Sequence, residues 1–176
     1  MSTSLPELHN HAEDLWSIPE DKEWKYNITS SLMALLMNSL NMRAEASLYE
    51  NPNTKMEEFN NSFYAAMSTA INKSRSLKEW FAQIKEQGRS HIMGHEVRAA
   101  TDLATEIHMD LGEARSIYRE MNSYAASNSL KRPTFSIDDD NFKAAQSHAY
   151  SFINEFNNHD GYDCERTDYY NNAPAL

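Results

Sequence analysis

Four glycines and five prolines in 176 residues are too few to punctuate a chain of short strands, and they sit at segment ends instead of recurring every ten residues or so. Valine is nearly absent, Val97 being the only one, and alternating Val, Ile and Thr runs are missing. A β-sandwich or barrel is therefore excluded, and an almost wholly helical chain is expected. With one cysteine, Cys164, no internal disulfide can form. No apolar run approaches the ~18 residues that suggest a membrane span, so no membrane partner is expected. The stretch MSTSLPELHNHAEDLW carries neither a basic n-region nor an apolar h-region. With the lone cysteine, this points to a reducing, cytoplasmic setting. No phosphate-binding glycine loop, nucleophile elbow or regular calcium loop is present, so the chain is expected to hold no cofactor and not to be an enzyme.

What remains is helical periodicity. Ser4 ahead of Leu5-Pro6-Glu7 has the form of a cap, and Leu8, Ala12, Leu15 and Trp16 then share a face, predicting a short first helix. Trp24, Ile28, Leu32, Leu35, Leu36 and Leu40 predict a long second helix from near Glu20 to about Tyr49. Its middle, SSLMALLMNSLNM, is apolar on more than one side, as expected of a segment that crosses the core or forms a subunit contact. Thr54 with Glu57, and Ser76 with Glu79, have capping-box spacing and predict the starts of a third and a fourth helix, the latter ended by Gly88. RSHIMGHEVRAATDLATEI reads as a fifth helix with Gly94 as a candidate break, and DLGEARSIYREMNSYA as a sixth. A linker at 127–137 precedes a last helix bearing Phe142, Ala145, Ala149, Phe152, Ile153 and Phe156, with Asp138, Asp139 and Asp140 at its start. The expectation is an all-α single-domain bundle of about seven helices over residues 1–157, followed by an irregular acidic tail over 158–176.

The net charge of −10 is uneven. Residues 1–69 hold four Lys/Arg against ten Asp/Glu, residues 70–120 eight of each, and residues 133–176 two against eight. The neutral middle contains DLATEIHMDLGEARSIYREM, Asp102 to Met121, in which Leu103, Ala104 and Ile107, a corner at His108-Met109-Asp110, and then Ala114, Ile117, Tyr118 and Met121 fall at the buried positions of two short helices. Over residues 101–121 the chain resembles helix-turn-helix proteins. That resemblance implies a second helix presenting its N-terminus to the major groove, with Arg98, Arg115, Arg119, Lys131 and Arg132 as phosphate contacts. The exposed positions nearest the bases are Asp110, Gly112, Glu113 and Ser116; a polyanion would repel the two acids there, and Asp110 with Glu113 also has the capping-box spacing of a helix start.

The leading expectation is a non-enzymatic regulatory or accessory protein, of inhibitor or adaptor type, that binds a basic surface of a protein partner. Asp138, Asp139, Asp140, Tyr162, Tyr169 and Tyr170 are the candidate contacts, and a homodimer through the long second helix is a further expectation. The alternative is a helix-turn-helix regulator that binds nucleic acid. A metal-dependent enzyme comes after both, resting on His91 and His95, whose i, i+4 spacing on a helix can chelate Zn²⁺ when a third ligand joins.

Overall fold

A computed structural model describes residues 15–17, 22–47, 53–89, 91–131 and 137–157. Four helices carry nearly all of the described chain: α1 Lys22–Ser47, α2 Thr54–Glu86, α3 Gly94–Ser127 and α4 Asp139–Asn157. Two three-residue strands, β1 Leu15–Ser17 and β2 His91–Met93, form one antiparallel ribbon with Trp16 opposite Ile92. The fold is all-α, as expected, but the described residues form four helices, with two pairs of expected helices fused.

Each helix buries a seam spaced alternately three and four residues apart. On α3 the seam is Val97, Ala100, Ala104, Ile107, Leu111, Ala114, Tyr118, Met121 and Ala125, all buried. On α1 it is Leu32, Leu35, Ser39, Met42 and Ala46. A repeat averaging 3.5 residues keeps one stripe facing its neighbours when helices cross at roughly 20°, the geometry of a four-helix bundle. The helices pack in a ring, each on its neighbours in the chain, and α4 closes onto α1. Ring contacts fix the directions. Phe63 near the start of α2 meets Tyr118 near the end of α3 (5.9 Å) and Phe142 at the start of α4 (6.1 Å). Trp80, further along α2, meets Phe152, further along α4 (6.5 Å). Arg43, late in α1, lies over the Tyr64 ring, early in α2 (4.3 Å), so consecutive helices run up and down alternately, and aromatic rings fill the centre between α2 and α4.

The fused helices show why capping patterns misled. Ser76 lies inside α2, and its hydroxyl donates to the Asn72 carbonyl (3.1 Å) instead of capping a new helix. A Ser-x-x-Glu spacing marks an N-terminus only where N–H groups lack partners; in mid-helix the hydroxyl turns back onto its own turn. At the true start of α2 the cap is Asn53, one residue before the expected Thr54, and its side chain accepts from Met56 N–H (3.1 Å).

The expected corner at His108-Met109-Asp110 does not exist: α3 is one helix of 34 residues passing straight through it. Ile107, Leu111 and Ala114 bury in unbroken register, so a turn would forfeit the seam, whereas keeping Gly112 in a helix costs only about 1 kcal/mol. A Cβ added at Gly112 would stand 3.5 Å from Gln146 Nε2, an ordinary contact. Gly112→Ala is accordingly expected to raise unfolding free energy by roughly 0.5–1 kcal/mol in a urea melt. A clear loss of stability would indicate a non-helical backbone there.

Gly88 ends α2 as expected, in the left-handed region (φ 60°) that glycine adopts without cost. Beyond it, residues expected in a fifth helix form β2, and Gly94 begins α3 instead of breaking it. Leu15 and Trp16, expected at the end of a first helix, form β1. Ile92, at 1% exposure, ties the ribbon to the core. The Glu96 carboxylate accepts from Met93 N–H (2.9 Å) and from both terminal nitrogens of Arg89 (2.8 and 2.6 Å), fixing the β2–α3 junction. At α4, Asp138 and Asn141 cap each other reciprocally, each side chain accepting from the other's N–H (3.1 and 2.7 Å). The expected helix over 4–14, Phe156's burial, and the tail over 158–176 lie outside what the structure describes, as do Arg132, Tyr162, Tyr169 and Tyr170.

Candidate functional site

Two of the cations expected to face phosphate, Arg115 and Arg119, meet one of the acids expected to face a partner, Asp139. Arg115 Nε donates to Asp139 Oδ1 (3.1 Å), Arg119 Nε donates to the same oxygen (3.1 Å), and an Arg119 terminal nitrogen donates to Asp139 Oδ2. These contacts join the late part of α3 to the first turn of α4, and Tyr118, donating to the Ile137 carbonyl (2.8 Å), reinforces the joint from inside. The two arginines hold the Asp139 carboxyl well below the usual carboxylate range, Arg119 contributing most. Arg98, exposed, faces Asp102 one turn on (4.0 Å), and Lys131 lies exposed just past the end of α3. Of the expected acidic contacts, Asp138 caps α4, Asp139 binds the arginines and Asp140 is exposed.

A depressed carboxylate pKa contributes stability that is complete above the ordinary value near ~4 and is lost as pH falls through the folded value. Glu96, held low chiefly by Arg89, acts in the same direction as Asp139. Thermal melts of the wild type should therefore fall steeply on acidification below about pH 4. Asp139→Asn should lower the melting temperature at neutral pH, where the pairing is complete, and make the acid limb shallower, so that variant and wild type converge as pH falls. An acid limb equally steep in the variant would show that Asp139 is not linked to folding.

The second flank of α3 is riveted to α2. Lys73 Nζ donates to Asp110 Oδ2 (2.9 Å) and lies 3.9 Å from Glu106. Asp110, expected as a helix cap or base contact, is thus an interhelical ion-pair partner. With α4 held on one flank and α2 on the other, the face of α3 opposite its seam points outward. On it stand Asp102, Glu106, Met109, Glu113, Ser116 and Glu120, spaced four, three, four, three and four apart and all exposed. That ridge is about 27 Å long at 1.5 Å per residue. Met109, at its middle, is 64% exposed, the highest value among the large exposed hydrophobic residues of the described chain. Four carboxylates around an exposed thioether make an acidic strip with an adaptable apolar centre.

The histidine pair fares differently. His91 lies in β2 and His95 in the first turn of α3, so the helical i, i+4 face assumed for chelation is not formed. Among the described residues no group of three or more His, Cys, Asp and Glu side chains is placed to hold a metal ion. His95 instead rims a shallow groove of about 280 Å³ between α2 and α3, floored by Leu77, Ala100 and Leu103. That volume is at the lower limit for small-molecule sites. Among the described residues, no helix is long and apolar enough to cross a membrane. No family model, curated protein or solved structure matches the chain.

Asp102, Glu106, Met109 and Glu120 were not among the candidate contacts read from sequence. The signal was there: read as a single 3.6-residue period over 94–127, the acids fall on the stripe opposite the seam. The assumed corner at 108–110 split that stripe.

Proposed function

We propose that this protein is a non-enzymatic accessory factor, of inhibitor or adaptor type, that acts by docking the outward face of α3 onto a basic surface of a protein partner. The observation that carries this reading is the uninterrupted ridge Asp102, Glu106, Met109, Glu113 and Glu120, exposed along its whole length. Carboxylates at that spacing raise the encounter rate with a cationic partner and reject anionic ones. Met109 supplies the desolvated centre that most interfaces need for lifetime, since rim charges alone govern chiefly the rate of association. Of the cations beside the ridge, Arg98 lies 4.0 Å from Asp102 and Lys73 3.9 Å from Glu106, whereas Arg115 and Arg119 engage Asp139, so that Glu113 and Glu120 keep the strip acidic.

The test is retention of partners from native extract on immobilised wild type beside Met109→Asp. Wild type is expected to retain a basic protein that elutes with salt, and the variant to retain it markedly less. A protein retained equally by both would bind elsewhere, and that outcome would reject the ridge as the docking face.

A further inference from the structure

We infer that the protein self-associates through the outward face of α1, two copies meeting antiparallel about a twofold axis at Met37. This inference is independent of the function proposed for α3.

Helix α1 has two apolar faces. The inner one, Leu32, Leu35, Ser39, Met42 and Ala46, is buried in the bundle. On the opposite side, Ser30, Met33, Met37, Leu40 and Ala44 follow the same three–four alternation. Met33 and Leu40 are half-buried, Ser30 and Ala44 are exposed, and Met37 is 49% exposed. A helix that only flanked a bundle would put charge there, as α3 does with its ridge. Residues 27–42 instead contain no Asp, Glu, Lys, Arg or His, within the longest uncharged run of the chain.

That neutrality selects the occupant. A basic partner gains nothing from an uncharged stripe, and a second copy, itself carrying −10, is repelled at the α3 ridge. Two copies can meet without charge repulsion where both are neutral. The stripe is also self-complementary, as a twofold contact requires. Reversing its direction about Met37 places Met37 on its equivalent and Ser30 against Ala44, while Leu40 meets Ala34 and Met33 meets the exposed Asn41, both flanking the stripe. Small residues at both ends let the backbones approach, and methionine and leucine fill the middle. About four turns of helix form a contact near the ~1,000 Å² threshold of a specific interface, so the dimer is concentration-dependent. Because α1 and α3 lie diagonally across the bundle, this dimer carries two acidic ridges facing outward on opposite sides.

The experiment combines sedimentation with directed cross-linking. Wild type is expected to shift from monomer to dimer as concentration rises, and Met37→Glu to stay monomeric with an unchanged helical circular dichroism spectrum. In a Cys164→Ser background, Met37→Cys is expected to form a disulfide-linked dimer under mild oxidation, whereas Met109→Cys, more exposed but on the acidic ridge, should not. A wild type that stays monomeric at every concentration would overturn the inference. So would a Met37→Glu protein that dimerises normally, or equal cross-linking at the two positions.

Discussion

Phe63→Ala is expected to lower the unfolding free energy by about 3–5 kcal/mol, a large share of the roughly 5–15 kcal/mol that holds a domain folded. Phe63 has no exposed surface, and its ring belongs to a triangle with Tyr118 (5.9 Å) and Phe142 (6.1 Å), themselves 5.8 Å apart. Three helices meet in that triangle, so truncation removes contacts to α3 and α4 together and leaves a cavity that long, ion-paired helices cannot collapse to fill. Urea unfolding followed by circular dichroism measures the loss. Met109→Ala serves as the comparison, because Met109 is mostly exposed and its truncation should change stability by less than about 0.5 kcal/mol. A loss at Phe63 no larger than at Met109 would mean that the aromatic centre does not hold the bundle together.

The second large effect concerns binding. Substituting Glu106→Lys, Glu113→Lys and Glu120→Lys together is expected to weaken association with a basic partner on the order of a hundredfold at low salt, within the range by which focused charge alters encounter. A control set, Glu57→Lys, Glu79→Lys and Glu86→Lys, makes the same change in net charge on exposed positions of α2 and should keep most of the affinity. Surface plasmon resonance with an oligo-arginine peptide reads both sets. The α3 set should act mainly by slowing association, with the wild-type advantage shrinking as salt rises. Equal losses from the two sets would show that net charge alone, and not the ridge, governs binding.

Legibility in the sequence followed the range of the interactions. The second expected helix, 20–49, and α1, Lys22–Ser47, nearly coincide because Pro19 and the Asn- and Pro-containing sequence ENPNT bound a clear period. The last helix, its buried stripe from Phe142 to Ile153 and its acidic start were equally plain, as were the end of α2 at Gly88 and the second apolar face of α1. Failures arose where a local pattern had two physical uses. Ser76-x-x-Glu79 and Asp110-x-x-Glu113 have the spacing of helix starts, but in both places the continuous buried seam outweighed the local signal. Strands of three residues, β1 and β2, leave no period to detect, and their pairing spans more than seventy residues of sequence. Non-local ion pairs were invisible for the same reason. Arg115 and Arg119 read as phosphate contacts and Asp139 as a partner contact until the crossing of α3 and α4 brought them within hydrogen-bonding distance.

That α3 is one helix whose outward face is an acidic docking strip is tested in both parts by amide and methyl NMR titration. Helical shifts should continue without a break from Val97 through His108, Met109 and Asp110 to Tyr118. On adding oligo-arginine peptide at low salt, changes should concentrate at Asp102, Glu106, the Met109 methyl, Glu113 and Glu120, and duplex DNA should leave them unmoved. A break in helical shifts at 108–110, or changes at Arg98, Arg115 and Arg119 on adding duplex with none at the ridge on adding peptide, would contradict it.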